Sequence, residues 1–526
     1  MKAGRLSVLL LLGLIITSGC EREQFQIVKQ FTPDSLFTKV LVDLGIDIDK
    51  DGKISKNEAE NVTSLDVSEK GITNMTGLEL FVNLISLDCS YNSITNLDIS
   101  NNKSLTYLNC SINRLTELDV SGSKELRSLL CGWNYLDNLD VGGLSKLSRL
   151  DCYSNRIIVL DVSKNTALDT IECGWNLLTD LDVSKLDKLS LLWCNSNLLT
   201  GIDVSHNSLL KDLSCARNEL TSLDVSGNSS LIELRCSYNE LTSLIITNTA
   251  LKELECMNNQ LTSLNVDADV ALESLNCSNN KLLNLDLSGN TVLKTLDCGA
   301  NRLTAIDVSS NASLVDLRCY GNQLASLEIS HNHAIQSLNF RNNKLSTLDI
   351  SDNPMLSYLQ CSDNQLTSLD LSNNPDLSYL YCGGNRLTIL NVSGNTGLFV
   401  LDCGGNQLTS LDITGNKRLR ILVCYHNSLT DLNLSGITTL EELNCGVNQL
   451  GSLDVLSNTG LKVLNCGFNK LISLNISNNT RLEELYLTRL PDLFKVCVWA
   501  IPFPPGGLSV DLTNSPNVYF TTSCGN

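Results

Sequence analysis

The chain has 526 residues, and its 38 Lys and Arg against 57 Asp and Glu give a formal charge of −19. That balance excludes a nucleic-acid surface, which needs clustered cations to neutralise phosphate, and favours a cationic or neutral partner. Four scattered histidines and the lack of a G-x-S-x-G, a phosphate-binding glycine loop or a histidine-carboxylate metal motif point away from catalysis, so no catalytic residue is assigned. At the N-terminus, Lys2 and Arg5 precede an apolar run from Leu6 to Ile16, and small residues lead to Cys20. Such a run is too short to span a bilayer and has the form of an export signal over 1–19.

Ser18-Gly19-Cys20 resembles the lipobox of bacterial lipoproteins, although Thr17 stands where that family usually has Leu. The resemblance implies acylation of Cys20 as the mature N-terminus, export, and anchoring at the outer membrane or cell surface. Ordinary secretion, with Cys20 merely close to the cleavage site, is the alternative. No later stretch is long and apolar enough to be a membrane span, so membrane attachment would rest on Cys20 alone. A polar tether follows over 20–33.

The segment 34–61 is a cap with its own chemistry. Leu36, Val40, Leu41 and Leu44 have helical spacing. Behind them, D-I-D-K-D-G-K-I-S-K-N-E places hard oxygen donors at alternate positions, a glycine at the sixth and a glutamate at the twelfth. The stretch resembles an EF-hand loop, which implies one structural Ca²⁺ held by Asp47, Asp49, Asp51, the Lys53 carbonyl, Ser55 and Glu58, with Ile54 packed inward. An acidic turn that caps the array without metal is the alternative. The short exit segment and the lack of a second loop argue against a sensor.

From 62 to 490 the chain repeats every 21 residues, as in the stretch Leu356 to Leu377. Cysteine marks the sixth place from Cys89 to Cys466, with Phe340 the one exception, and the period shortens to 20 between Cys236 and Cys256. A period sustained this long means a solenoid, in which each turn buries its apolar face against its neighbours. The pattern L-x-x-L-x-C-x-x-N-x-L resembles the leucine-rich repeat signature with Cys at the usual third Leu. The second half, L-T-x-L-D-V-S-x-N, copies the first, which narrows the resemblance to the nested bacterial repeats sometimes called IRREKO. The implied fold is a β-rich leucine-rich repeat solenoid of about 21 parallel coils, with short strands on two sides, little helix, and a cap at each end.

Each repeated residue has an expected place. Leu and Cys alternate inward, and asparagines such as Asn113, Asn134 and Asn155 fall at the bend after the strand, where an amide satisfies turn backbone. Buried cysteine acts as a small hydrophobe, and the parallel Cβ vectors of stacked turns neither pair as disulfides nor converge on zinc. Aspartates at the second-half strand, unbroken from Asp98 to Asp224, would repel by roughly 1 kcal/mol per neighbouring pair in water. They are therefore expected to face solvent, bond to nearby Ser and Thr, or share cations.

Recognition is left to the variable outward places. Tyr153 and Trp193 are expected on the sheet face with Trp133 and Trp175 at its rim, and Tyr358, Tyr379 and Tyr381 form a second group. Exposed aromatics suit stacking on sugar rings or anchoring a protein; packing on each other across adjacent turns is the alternative. The segment 491–526 abandons the period and reads as a cap, in which Cys497 and Cys524 are candidates for a disulfide or for two free thiols. The chain resembles internalin-like bacterial surface proteins. The implied function is a monomeric, non-catalytic cell-surface lipoprotein that binds a macromolecule, a protein or a glycan, for adhesion or protein interaction. Alternatives are a carbohydrate-binding accessory protein for nutrient capture and a structural envelope spacer.

Overall fold

The computed structural model describes residues 35–247 and 250–524. Cys20, the export signal and the tether lie outside them. Helix α1 (Ser35–Asp43) buries Phe37, Val40 and Leu41, and α2 (Lys56–Glu60) follows the acidic loop. No helix among the described residues is long and apolar enough to cross a membrane.

The repeats form a 22-stranded sheet in which each strand has three residues and pairs parallel with the equivalent residues of its neighbours, as Leu87 with Leu108. Alternation dictates the packing: the central Leu is buried while the flanking residues are partly exposed. Pairing continues past the strand, since the Cys110 amide donates to the Leu130 carbonyl at 2.8 Å and the Ile112 amide to the Gly132 carbonyl at 2.9 Å. Leu and Cys build one continuous core along the array, and α1 closes its first end.

Two amide ladders hold the bends. In the first, the Asn301 Nδ2 donates to the carbonyls of Cys277 and Cys298, both at 3.1 Å, and its Oδ1 accepts from the Leu282 amide at 3.0 Å. Each cysteine carbonyl is thus shared by the asparagines of two successive coils. The second ladder stands in the other half-repeat, where the fully buried Asn311 donates to the carbonyls of Leu287 at 3.0 Å and Asn290 at 2.8 Å. The S-x-N element of the repeat marks this second ladder, although sequence periodicity alone assigned it no role.

On the second side, strand pairing is confined to a few places. Strands form at Ser222–Asp224 with Ser243–Ile245, and at Ser473–Asn475, Lys495–Cys497 and Tyr519–Thr521, with isolated bridges at Asn265 to Asp286 and Asp454 to Asn475. At every one of these places at least one facing partner of the aspartate position is uncharged, such as Ile245 opposite Asp224. Where two carboxylates face each other, as at Asp98 and Asp119, their repulsion opposes close pairing. An uncharged partner accompanies every pairing on this side without ensuring one, since Asp370 opposite Asn391 and Asn391 opposite Asp412 stay unpaired. Strands on two sides are therefore continuous on one side and local on the other.

The aspartates settle into Asx turns. Asp98 Oδ1 accepts from the Ser100 amide at 2.9 Å, and the same bond recurs at Asp119, Asp161, Asp182, Asp203 and Asp224. Those bonds hold the Asp98 carboxyl below its ordinary value, because they favour the charged form. All eighteen ladder cysteines are buried and free, and burial pushes the Cys110 thiol up to about 12. A thiol titration of denatured, unreduced residues 21–526 should count eighteen; a count near zero would overturn the packing role.

The last segment does not simply stop the coil. Ser509–Asp511 extends the main sheet beside Glu484–Tyr486, while Lys495–Cys497 and Tyr519–Thr521 extend the second side. Trp499, Phe503 and Phe520 pack over this end, with Phe503 and Phe520 rings 4.6 Å apart, and Cys497 is joined to Cys524.

Candidate partner-binding face

The outward places of the large sheet are the part of the molecule that the scaffold leaves free to vary. Three of the four aromatics expected in the first group come together. The Trp133 and Tyr153 rings lie 6.0 Å apart at 38°, and with Trp193 they line a shallow depression of ≈ 520 Å³. Trp175 is 57% exposed at the rim and stays outside that depression. In the second group, Tyr358 lies 6.2 Å from Tyr379 and 5.7 Å from Tyr381, and Phe399 extends the row at 5.9 Å from Tyr379. These rings pack on one another and remain accessible: Tyr379 is 40% exposed. Mutual packing and availability to a partner therefore coexist.

The rim has a conformational signature. The residue two places after each cysteine has positive φ, including Trp133 at 55° and Trp175 at 53°. Glycine takes this place at 321, 384 and 405, as a left-handed bend favours. Yet bulky side chains hold it in many coils, even the β-branched Ile112 and Val447, for which the region costs roughly 1–2 kcal/mol. The reversal from strand to bend also aims these side chains at solvent, with Trp133 58% exposed.

Charged residues at the first and third strand places also line the depression and were not singled out by sequence reasoning. Asp151, Glu172, Asp212, Glu233 and Arg235 join the rings there. Arg235 bonds to Glu233 at 2.6 Å and Asp212 at 3.2 Å, while Arg149 pairs with Glu172 at 2.9 Å. Asp151 has the Tyr153 amide at 2.9 Å, and desolvation pushes its carboxyl up to about 6. Burial also raises Asp212, opposed by the neighbouring Trp193 indole and Arg235, although the indole N–H makes no hydrogen bond of ordinary geometry. Larger hollows, of ≈ 730 and ≈ 670 Å³, lie on the opposite side, but they are polar clefts in which Asp98, Asp119, Asp182 and Asp203 are committed to turn amides. Chemistry, not size, favours the sheet face.

At the N-terminal cap, Asp47, Asp49 and Glu58 bring one oxygen each within 4.8 Å of the others. The Asp51 carboxylate is not in that group. Asp47 accepts from the Asp51 and Gly52 amides at 3.2 and 2.9 Å, which closes the loop around the left-handed Gly52 at φ 81°. Glu58 accepts from the Ser55 hydroxyl at 2.7 Å, from its amide at 2.8 Å, and from the Ile48 amide at 2.7 Å. These bonds, the Ser55 hydroxyl first, lower its carboxyl to about 2. The donors are hard oxygens, three of them already convergent and anionic, which fits a divalent cation.

A parallel coil with a buried cysteine column and an asparagine ladder at each bend defines a cysteine-ladder leucine-rich repeat solenoid. No protein-family model matches the chain. The solved functional domain of InlJ from Listeria monocytogenes, described as including a cysteine ladder, is 35% identical over 70% of this chain and 72% of that one, with a TM-score of 0.53. The chain belongs to the internalin-like leucine-rich repeat proteins. Internalin J of L. monocytogenes serotype 4b (strain F2365) is 45% identical over 49 residues, a stretch that covers 9% of this chain and 5% of that relative. YopM from Yersinia enterocolitica, 24% identical over 88% of this chain and 92% of its own with a TM-score of 0.60, shares the fold. The plant peptide hormone receptor RGFR1 in complex with RGF2, 19% identical over 88% and 91% with a TM-score of 0.69, does so too.

Proposed function

We propose that this chain is a non-catalytic, monomeric lipoprotein of the bacterial surface that binds a protein partner along the outward face of its large sheet. The supporting observation is the pair of exposed aromatic clusters, around Trp133 and Tyr153 and around Tyr358, Tyr379 and Tyr381, on places that packing leaves unconstrained. Rigid aromatic rings on a rigid sheet anchor a partner with little ordering entropy. The test is a binding screen of residues 21–526 against envelope and host proteins and against glycans. A protein ligand should be lost with Trp133→Ala combined with Tyr379→Ala, and kept with Asp119→Asn on the opposite side. A glycan retained in its place would select carbohydrate capture, and no saturable ligand would select a spacer. Anchoring through Cys20 is tested by radiolabelled palmitate, whose incorporation Cys20→Ala should abolish.

We also infer that Asp47, Asp49 and Glu58, with Asp51, the Lys53 carbonyl and Ser55, would hold one structural Ca²⁺. The ion would neutralise the loop's crowded carboxylates and fix α1 over the open end of the core. Chelator should lower the melting temperature of residues 21–526 by several degrees, and added Ca²⁺ should restore it. Identical melting curves in both conditions would count against the site.

A further inference from the structure

We propose that the depression between the strands Ser128–Leu130 and Glu233–Arg235 is a slot for a basic side chain, Arg or Lys, carried by the protein partner. The proposal rests on the protein-binding reading above and adds the chemistry of one of its subsites. Charge is the first ground. The outward places of the six strands from Arg149–Asp151 to Glu253–Glu255 hold six carboxylates and two guanidinium groups. Both guanidiniums are already paired, Arg149 with Glu172 and Arg235 with Asp212 and Glu233. The excess is anionic, and Asp151 in particular has no cation within salt-bridge distance.

The second ground is the wall. Trp133 and Tyr153 stand beside Asp151 with their rings tilted 38° to one another, so they form a corner and not a flat platform. A corner of π faces with a carboxylate beside it suits a guanidinium or ammonium group, which gains from both ring quadrupole and charge. A sugar ring is better served by a broad planar face.

The third ground is that the slot is built by two glycines. A Cβ at Gly132 would come within 2.9 Å of an Asp151 carboxylate oxygen, and one at Gly174 within 2.8 Å of the Tyr153 ring. The missing side chains leave Asp151 its position and let Tyr153 lie across the next coil. Asp151 is also a carboxylate kept where ionisation is disfavoured, since desolvation and Glu172 on the next strand raise its pKa against the Tyr153 amide and, more weakly, Arg149 on its own strand. An arriving cation would relieve that penalty.

The probes are a nonapeptide with three arginines, the same peptide with three citrullines, and maltohexaose, followed by tryptophan fluorescence of residues 21–526 at low salt. The arginine peptide should quench saturably, and the citrulline peptide should bind at least tenfold more weakly. Asp151→Asn and, separately, Trp133→Ala should each weaken the arginine peptide at least tenfold, while Asp119→Asn should not. Affinity should also fall as pH drops through about 6, where Asp151 protonates. Equal binding of the two peptides, no saturable binding, affinity unchanged in Asp151→Asn, or maltohexaose bound more tightly than the arginine peptide would each overturn the slot. None of those results touches protein binding by the tyrosine cluster, which fails independently if the combined Trp133 and Tyr379 substitutions leave a captured protein in place.

Discussion

Asn301→Ala should destabilise the middle of the array by about 3 kcal/mol or more, read as a lower urea midpoint and as faster amide exchange in the coils around Cys277 and Cys298. The buried Asn301 side chain donates to the carbonyls of Cys277, Cys298 and Gly299 and accepts from the Leu282 amide. The two cysteine carbonyls keep a second donor, in Asn280 and Asn322. The Leu282 amide has no substitute, and an orphaned buried donor costs roughly 1–3 kcal/mol beyond the bonds lost at about 1 kcal/mol each. Because each coil touches only its neighbours, the damage should be local before it is global. The exposed Asn373, with one bond to the Ser351 carbonyl at 3.2 Å, provides the contrast. Its replacement by Ala should change stability by less than about 0.5 kcal/mol.

Asp151→Asn should do the opposite and stabilise the protein at neutral pH, by up to about 3 kcal/mol. The carboxyl is raised to about 6 in the folded chain, chiefly by desolvation. It titrates near 3.9 when unfolded. Below about pH 4 it is protonated in both states and contributes no difference. Between pH 4 and 6 the unfolded chain ionises first, so the penalty on folding grows, and it is complete above pH 6. The variant should therefore match the parent at pH 3.5 and melt several degrees higher at pH 7.5. An increment independent of pH would show that ionisation is not its source. Asp98 has the reverse sign, because its lowered carboxyl stabilises the fold above the ordinary carboxylate range and loses that contribution on acidification.

The sequence announced the coil because its core residues are periodic, and periodicity is visible without coordinates. Leu87, Cys89 and Asn92 recur because each does the same work in every turn. Residues that act by facing a neighbour were harder to find. Whether Asp224 can join a ladder depends on Ile245 in the next coil, and that relation appears only once the register is known. The same holds for the sheet face. Trp133 and Tyr153 stood out as rare residue types, but Asp151 and Glu172 look like ordinary surface acids until stacking sets them beside the rings. The left-handed bend was suggested by Gly384 and Gly405 and concealed by Trp133, Ile112 and Val447, whose bulk gives no hint of positive φ.

The column of cysteines carries one interruption, the fully buried Phe340, which stacks between Cys319 and Cys361 and whose amide still donates to the Gln360 carbonyl at 3.0 Å. Coils that are nearly interchangeable invite a folding chain to dock a whole turn early or late, with most contacts preserved in the wrong frame. A one-turn slip would force the Phe340 ring into a space fitted to a thiol, where overpacking costs about 1–3 kcal/mol. The lone phenylalanine thereby penalises that slip in the coils beside it, giving an otherwise repetitive column one distinguishable frame.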